Sequence, residues 1–386
     1  MKHTAQIIST YSCDTSGVCS ALYELGGMTV MHDASGYAGI YTTHDEPRWY
    51  EMDSLIFVSG LTETEAILGD DEKFINDTVN AAKRLQPNFI ALTGSPIPMV
   101  IGTDFPALAR EIELATGIMT FGFDTTGMNS YISGVGLAFA ELAKRVCQEP
   151  TTKSDQLAIN LLGVTPLDFS INDTVASMEK VLQDQGLKIQ SNWAMGGSFA
   201  DIKTASAAQV NLVVSAGGLP AAKILQKRFG IPYVIGTPYG AAFTTKIVNA
   251  IKQAAATGEN QLVCPPQGNA KTVIVGESVN RLSLANAIYD ATGEAATVLC
   301  PVDSAPELLT DGCISAVDED ELKPYFAEAT TIIADPLYQP ICPDTARFIP
   351  VPHEGFSGRV YHGSMPNLVT GFENLLMKIN NETKKG

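Results

Sequence analysis

Short apolar runs alternate with amphipathic segments along the whole chain. In the first third, four runs predict β-strands: MTVM (28–31), SLIFVSG (54–60), NFIALTG (88–94) and GIMTFGF (117–123). Helical spacing of apolar residues follows the last three, over 62–85, near 103–116 and near 131–147. Nearly continuous apolar strands that alternate with helices are typical of parallel sheets covered on both faces.

The same alternation occurs twice more. Further strands are predicted at LAINLLG (157–163), VNLVVSAGG (210–218), IPYVIGTPYG (231–240), TVIVGES (272–278), ATVLCPV (296–302), TTIIADP (330–336) and RFIPVP (347–352). Further helices are predicted near 172–185, up to Phe229, up to about Ala256, near 280–293, from Asp318 or Glu319, and near 365–382. Glycines follow several of the strands, where ligands bind in such sheets.

Two polar segments, 148–156 and 257–271, separate the three sets of elements. At 386 residues the chain is too long for one core. We therefore predict an α/β fold of three serial Rossmann-like domains, 1–149, 150–265 and 266–386. Their sheets are expected to be mainly parallel, with a cavity between the domains.

Composition and charge narrow the classes of partner. The formal net charge is −17, which disfavours binding to nucleic acid or to anionic membrane surfaces and favours a protein partner with a basic face. The start of the chain lacks the apolar stretch of a signal peptide, and no apolar run approaches the roughly 20 residues that cross a bilayer. Seven widely spread cysteines indicate reduced thiols in a cytoplasm.

Several common motifs are absent from the sequence. It contains no phosphate loop, no dinucleotide-binding G-x-G-x-x-G after a strand, no C-x-x-C, no H-E-x-x-H and no G-x-S-x-G. We therefore expect no ATP or NAD site on this chain. The nearest glycine pattern, GVG at 134–136, enters a helix and is interpreted as packing.

The segment from Cys13 to Asp71 contains the densest candidate chemistry. Cys13 and Cys19 flank a turn that leads into a helix, where backbone N–H groups favour anions. Both could be thiolate ligands of an iron–sulfur cluster. The alternative for Cys19 is a small core residue on the apolar face of the helix.

Polar residues follow the strand MTVM. His32 and Asp33 stand in a turn that Gly36 closes, and His44 follows a few residues later. These groups could donate protons or form an anion clamp. The equal alternative is that these residues form a hydrogen-bond network that only stabilises the loop.

Two further segments are candidates in the other predicted domains. Residues 195–198 open a predicted helix, whose N–H groups could receive a ligand carboxylate; a plain helix start is the alternative. The loop 353–367 holds His353, Arg359 and His362. These residues could belong to a functional site, and a purely structural role is the equal alternative.

These motifs together resemble the nitrogenase component 1 superfamily. The C-x-x-x-G from Cys13 resembles its first cluster-ligand motif, MHDASGY (31–37) its V-H-G-x-x-G-C, and TETEAILGDD (62–71) its T-C-x-x-x-x-I-G-D-D. Residues 211–240 resemble the family's second-domain segment, and 353–376 its terminal segment. The resemblance touches all three predicted domains.

Two family thiolates are replaced in this chain. Tyr37 stands at the second thiolate position and Glu63 at the third, so the resemblance implies Cys13 as a ligand and permits Tyr37 and Glu63 as oxygen ligands. Cys19 lies close in sequence and is kept as a second candidate thiolate. The position of the active-site cofactor thiolate in molybdenum nitrogenase falls near Val214 and Ser215, which disfavours a cofactor of that type bound through cysteine.

The resemblance implies a subunit of a nitrogenase-like oxidoreductase. An ATP-dependent iron–sulfur reductase protein would donate electrons through a [4Fe–4S] cluster shared at a subunit interface, within a homodimer or with a paralogous subunit in a heterodimer or heterotetramer. A small molecule or a tetrapyrrole-like substrate would be reduced, with His32, Asp33, His44 or His362 as proton donors. The alternatives are a non-catalytic scaffold or partner subunit, and a small-molecule-binding protein without a cluster.

Overall fold

The computed structural model describes residues 5–8, 10–36, 46–149, 155–265, 268 and 270–380. The described residues form three parallel sheets, each built from one successive part of the chain. The strands are β1 Met28–His32, β2 Leu55–Val58, β3 Ile90–Gly94, β4 Thr120–Gly122, β5 Ala158–Val164, β6 Lys188–Ala194, β7 Val210–Val213, β8 Tyr233–Ile235, β9 Gln261–Leu262, β10 Thr272–Val275, β11 Ala296–Cys300, β12 Cys313–Ser315, β13 Thr331–Ala334 and β14 Arg347–Pro350. The predicted α/β class with parallel sheets is confirmed.

The helices pack against these sheets. They are α1 Asp14–Leu22, α2 Glu63–Leu68, α3 Glu72–Leu85, α4 Pro96–Ile101, α5 Phe105–Thr116, α6 Tyr131–Glu141, α7 Pro166–Phe169, α8 Thr174–Asp184, α9 Phe199–Lys203, α10 Leu219–Phe229, α11 Ala241–Thr257, α12 Ser278–Thr292, α13 Glu319–Glu328, α14 Glu354–Ser357 and α15 Phe372–Asn380. One buried apolar cluster runs through all three parts of the chain. The exact boundaries of the predicted domains stay a prediction.

The order of the strands in each sheet indicates where a ligand is expected to bind. The orders are β2-β1-β3-β4, β6-β5-β7-β8-β9 and β12-β11-β10-β13-β14. In each sheet the strand that comes first in sequence (β1, β5 or β10) lies between the next strand in sequence on one side and a later strand on the other. The crevice at the carboxyl end of that strand is where open parallel sheets bind ligands.

Most of the long elements lie where the sequence pattern predicts them, whereas several short strands and helices were not predicted. The helix predicted over 62–85 is two helices, because Gly69 takes a left-handed conformation with φ of 64° and ends α2. Strands β6, β9 and β12 were not predicted: β6 mixes polar and apolar residues, and β9 and β12 are only two and three residues long. The last helix begins at Phe372 rather than near 365, because the side chain of Asn367 accepts hydrogen bonds from Val369 and Thr370 in a preceding turn.

Two glycines allow α1 and α6 to cross in backbone contact. A Cβ atom at Gly134 would lie 1.8 Å from the carbonyl oxygen of Asp14, and one at Gly17 would lie 2.1 Å from that of Tyr131. Both neighbours are backbone atoms, so neither can rotate away. The interpretation of the 134–136 glycines as packing residues is confirmed. This crossing fixes the start of α1 against α6.

We expect Gly134→Ala to lower the free energy of unfolding by about 2–3 kcal/mol, as overpacking does. The loss exceeds the roughly 1 kcal/mol that alanine gains over glycine in a helix. Urea unfolding followed by circular dichroism measures it. Gly363→Ala is the control, since a Cβ there meets nothing within 4 Å; equal stability of the two variants would contradict the crossing.

Candidate functional site

Cys13 stands at the start of α1, on the carboxyl edge of the first sheet. It is the N-cap residue, it is half-buried, and its Sγ lies 3.8 Å from Oγ of Ser16. Thr15, in the first turn of α1, donates a hydrogen bond to the carbonyl of Gly94 at the end of β3 (2.6 Å). The N–H groups and the dipole at a helix start favour the binding of anions.

Asp14 fixes the loop beside Cys13. Its buried carboxylate accepts hydrogen bonds from the backbone of Thr126 (3.0 Å) and Gly127 (2.7 Å) and from the side chain of Asn129 (3.1 Å). The next residue of that loop, Ser130, forms an isolated antiparallel bridge with Cys13. The position of the thiol is therefore set by a network of buried hydrogen bonds.

Cys19 lies inside the protein. It is fully buried in a small apolar cluster with Tyr23, Met31 and Ile56. Burial, with a smaller contribution from Cys13, raises the pKa of its thiol well above the usual value. A raised pKa disfavours the thiolate that ligates metals. Its predicted role as a ligand stays a prediction.

His32 and Asp33 lie at the carboxyl end of β1. The His32 ring packs 4.4 Å from the Phe74 ring, and Nδ1 is 2.9 Å from Oγ of Ser59. Burial lowers the pKa of His32 to about 4, so the imidazole is neutral at pH 7. Asp33 accepts a hydrogen bond from Oγ of Ser95 (2.5 Å), which follows β3. The two residues thus join the ends of neighbouring strands, and their predicted roles as proton donors stay predictions.

Glu63 is exposed in the first turn of α2. The helix begins with a capping box, in which Thr62 and Glu65 exchange hydrogen bonds, and Glu63 lies outside that box. Two other candidates in this stretch, Tyr37 and His44, lie outside the described residues. Among the described residues, no group of three His, Cys, Asp or Glu side chains could hold a metal ion.

Arg48 is the centre of a buried ion-pair group. Its guanidinium, only 3% exposed, donates to Glu46 (2.5 Å), to Glu24 (2.8 Å) and to the carbonyl of Ser20 (2.7 Å). The second oxygen of Glu24 accepts a hydrogen bond from the N–H of Gly196 (2.8 Å). The N–H group of Gly196, a candidate for binding a ligand carboxylate, therefore binds a carboxylate of the chain itself.

A cavity of about 380 Å³ lies beside this group. Arg48 and Glu24 form one wall, and Met195 and Gly196 form another. The sequence predicts an interdomain cavity lined by parts of 32–48, 195–198, 215–218 and 353–367. Residues of the first two segments line the observed cavity together. Residues 215–218 and 353–358 are buried, whereas most of 359–367 is exposed or half-buried.

A buried acid–base network, which we call the central network, consists of Tyr131, Asp168, Ser215 and His353. Asp168 accepts hydrogen bonds from the Tyr131 hydroxyl (2.5 Å) and the Ser215 hydroxyl (2.6 Å), and its Oδ1 is 3.4 Å from Nε2 of His353. Both ring nitrogens of His353 are buried without a hydrogen-bond partner. Burial, together with Asp168, raises the pKa of Tyr131 well above its usual value. The network joins residues from all three successive parts of the chain.

Glu277 lies close to this network and links the second and third parts of the chain. Its carboxylate caps α12 by accepting the N–H groups of Val279 (2.9 Å) and Asn280 (2.8 Å), and it accepts the N–H of Ala216 (3.0 Å). Burial, and then repulsion from Asp168, raises the pKa of Glu277 to about 7. The group can therefore exchange a proton near neutral pH.

His362 lies at the surface end of the 353–367 loop. Its Nδ1 is hydrogen-bonded to the buried carboxylate of Glu354, which also accepts a hydrogen bond from Oγ of Ser170 (2.8 Å). The His362 side chain is 37% exposed. A carboxylate that orients an imidazole in this way leaves Nε2 available for acid–base chemistry. The role of His362 as a proton donor stays a prediction.

The central network and Glu277 were not predicted from the sequence. Their residues lie far apart in sequence, and only the assembled sheets bring them together. One signal could have found part of this set: a carboxylate follows within a few residues of the first strand of each sheet, at Asp33, Asp168 and Glu277. In a parallel sheet that position points at the binding crevice.

The geometry defines a class of protein: serial parallel α/β units, a thiol at a helix start on a sheet edge, and buried acid–base residues where the units meet. Within that class, the sequence matches the family model for nitrogenase component 1 type oxidoreductases over residues 13–275. The match covers well over half of the chain. The chain belongs to this family.

Curated relatives agree with this assignment. The chain is 27% identical over 218 residues to the nitrogenase iron-molybdenum cofactor biosynthesis protein NifE of Klebsiella pneumoniae, covering 53% of this chain and 46% of that protein. It is 30% identical over 162 residues to one of the subunits of the light-independent protochlorophyllide reductase of Prosthecochloris aestuarii, covering 42% of this chain and 30% of that protein. The matches thus span less than half the length of these relatives.

Solved structures agree on the fold. The structure described as nitrogenase Cp1 at pH 5 aligns with a TM-score of 0.69 over 100% of this chain and 91% of the other, at 13% identity. At that identity the likeness establishes the fold alone. None of the described helices combines the length and the apolar character needed to span a bilayer.

Proposed function

We propose that this chain is an electron-accepting subunit of a cytoplasmic nitrogenase-like oxidoreductase. Electrons would come from an ATP-dependent iron–sulfur reductase protein through a [4Fe–4S] cluster shared at a subunit interface, and a small molecule or tetrapyrrole-like substrate would be reduced. The observation that carries the proposal is the half-exposed Cys13 thiol, fixed at a helix start. Family membership supports the redox class.

The thiols of the described residues fit a shared cluster rather than one held by a single chain. Of the seven cysteines, only Cys13 and Cys342 are not buried, and no complete metal-ligand set lies within the described part of one chain. Two copies would contribute Cys13 twice, with Glu63 as a candidate oxygen ligand; a paralogous partner would contribute its own ligands. The cluster, when bound, supplies one-electron transfer, and this chain's part is to hold it through Cys13.

An exposed apolar surface supports partner docking beside Cys13. Helices α2 and α4 contact each other and expose Ile67 (75%), Leu68 (72%) and Val100 (77%). Helix α4 directly follows β3, whose last residue is bonded to the first turn of α1. Contiguous exposed apolar side chains mark interaction sites, and acidic residues around α2 suit a partner with a basic face.

We expect Cys13→Ala to lose most of its iron when purified anaerobically, because an alanine cannot ligate iron. Iron and acid-labile sulfide per chain and absorbance near 400 nm measure this. Cys342→Ala, which removes the other thiol that is not buried, is the matched control and should keep its iron. Full iron content in Cys13→Ala would refute the ligand assignment, and Cys19→Ala tests the second candidate separately.

Turnover separates a reductase from the alternative. A purified ATP-dependent iron–sulfur donor protein should reduce the wild-type chain in an ATP-dependent reaction, and light scattering should show a dimer or a larger complex. The alternative is a non-catalytic scaffold or partner subunit, favoured by the replacement of two family thiolates by Tyr37 and Glu63. Iron without ATP-dependent reduction would favour the scaffold, and absence of iron would favour a binding protein that has lost its cluster.

A further inference from the structure

Two arginines of the chain are buried to the same degree but differ in their partners. Arg48 and Arg281 are each 3% exposed. Arg48 is bound by two carboxylates, Glu24 and Glu46. The Arg281 guanidinium donates one hydrogen bond, to the neutral Oδ1 of its neighbour Asn280 (3.2 Å), and no carboxylate of the described residues lies within ion-pair distance of it.

A buried guanidinium without a counter-ion is costly, because a charge that is moved out of water loses its hydration. Arginine stays protonated, so it cannot escape the cost by losing its charge. Proteins therefore pair buried charges or use them to bind a ligand. The unpaired Arg281 thus points to an anion that binds here.

Arg281 lies at a position where a ligand is expected in this fold. It is in the first turns of α12, against Gly276, which follows β10; a Cβ at Gly276 would be 2.5 Å from Nε of Arg281. Strand β10 lies between β11 and β13, so its carboxyl end is the switch point of the third sheet. Glycine at 276 leaves room for the guanidinium at this crevice.

We propose that Arg281 anchors a subsite for the carboxylate group of a small organic ligand. The planar guanidinium offers parallel N–H donors that match a carboxylate. Tyr239 lies beside it: its phenol interacts with both Arg281 and Asn280, and burial raises its pKa, so it remains a neutral hydrogen-bond donor. This subsite stands whether or not the chain holds a cluster.

The surrounding charges favour a carboxylate over a phosphate. Asp168 and Glu277 both act electrostatically on Tyr239, and Asp335 acts on the neighbouring Tyr338, as does Arg281. These carboxylates already accept hydrogen bonds from other groups; Asp335, for example, accepts from the N–H of His353 and from Ser357 (both 2.8 Å). A doubly charged phosphate would be repelled more strongly than a singly charged carboxylate.

Thermal unfolding and calorimetry of the purified full chain test this subsite. Acetate, succinate and citrate are the probes, with inorganic phosphate and chloride at equal ionic strength for comparison. We expect a carboxylate to raise the melting temperature of the wild type, and we expect Arg281→Met to lose this shift. Arg84→Met, which removes an exposed arginine, is the matched control and should keep it.

The ligand-free variants separate a binding role from a structural one. If Arg281 is there to bind an anion, ligand-free Arg281→Met melts no lower than the wild type, because an unpaired buried charge has been removed. Arg281→Lys keeps the charge without the planar donors, and its carboxylate affinity should fall about tenfold or more. A wild type that responds to no carboxylate, one that responds to phosphate alone, or an Arg281→Met that keeps the full shift would each overturn the proposal.

Discussion

Arg48→Met should lower the free energy of unfolding by about 3–5 kcal/mol, the usual cost of removing one partner from a buried ion-pair group. The substitution leaves the Glu46 and Glu24 carboxylates without the guanidinium that binds both of them. It also frees the carbonyl of Ser20 in α1. Urea unfolding at pH 7, with the midpoint and the slope fitted together, measures the loss.

Two further variants identify the cause of that loss. Lys180→Met breaks an exposed pair whose side chains are 75% and 61% exposed, and should change stability by less than about 0.5 kcal/mol. The double variant Arg48→Met/Glu46→Gln removes one of the abandoned charges and should recover part of the stability. If the double variant is no more stable than Arg48→Met, the loss comes from packing of the arginine stem rather than from unpaired charge.

Hydrophobic periodicity predicted the architecture because strands buried on both faces leave a clear signal. Runs such as NFIALTG (88–94) became strands within a residue or two of their expected bounds. Strand β6 was missed because its residues KIQSNWA mix polar and apolar side chains. Its Ser191 bonds to the buried Asn160 (2.7 Å) and to Trp193 (2.9 Å), so polar residues are satisfied inside the sheet. Pattern reasoning reads such residues as exposed.

The candidate site was predictable only where its residues are close in sequence. Cys13, His32 and Asp33 could be picked out because each stands at a helix start or a strand end within one short stretch. Asp168 and His353 are 185 positions apart, and no spacing rule connects them. Arg281 was missed for a different reason: an arginine in a helix is normally exposed, whereas residues 278–288 of α12 are all buried.

A raised carboxyl pKa gives a pH dependence whose sign is fixed. The pKa of Glu277 is about 7 in the folded chain against an ordinary 4.5, with burial as the main cause. The folded chain therefore binds this proton more tightly than the unfolded chain. The contribution of Glu277 to the free energy of unfolding is therefore complete below about pH 4.5 and is lost as the pH rises to about 7. Above pH 7 no further loss comes from it.

Glu277→Gln should remove this component of the pH dependence. Between pH 4.5 and 7.5 the free energy of unfolding of the wild type should fall by on the order of 3 kcal/mol through Glu277. Glutamine cannot ionise, so this part of the fall should be absent from the variant. Unfolding in urea at pH 5, 6, 7 and 8 gives both curves, and their difference isolates Glu277 from other titrating groups. At low pH the glutamine also weakens the cap of α12, where the carboxyl accepts two N–H groups, so the variant should start lower and the curves should converge as the pH rises. Parallel curves would show that Glu277 is ionised throughout, which would mean that the N–H groups of Ala216, Val279 and Asn280 outweigh its burial beside Asp168.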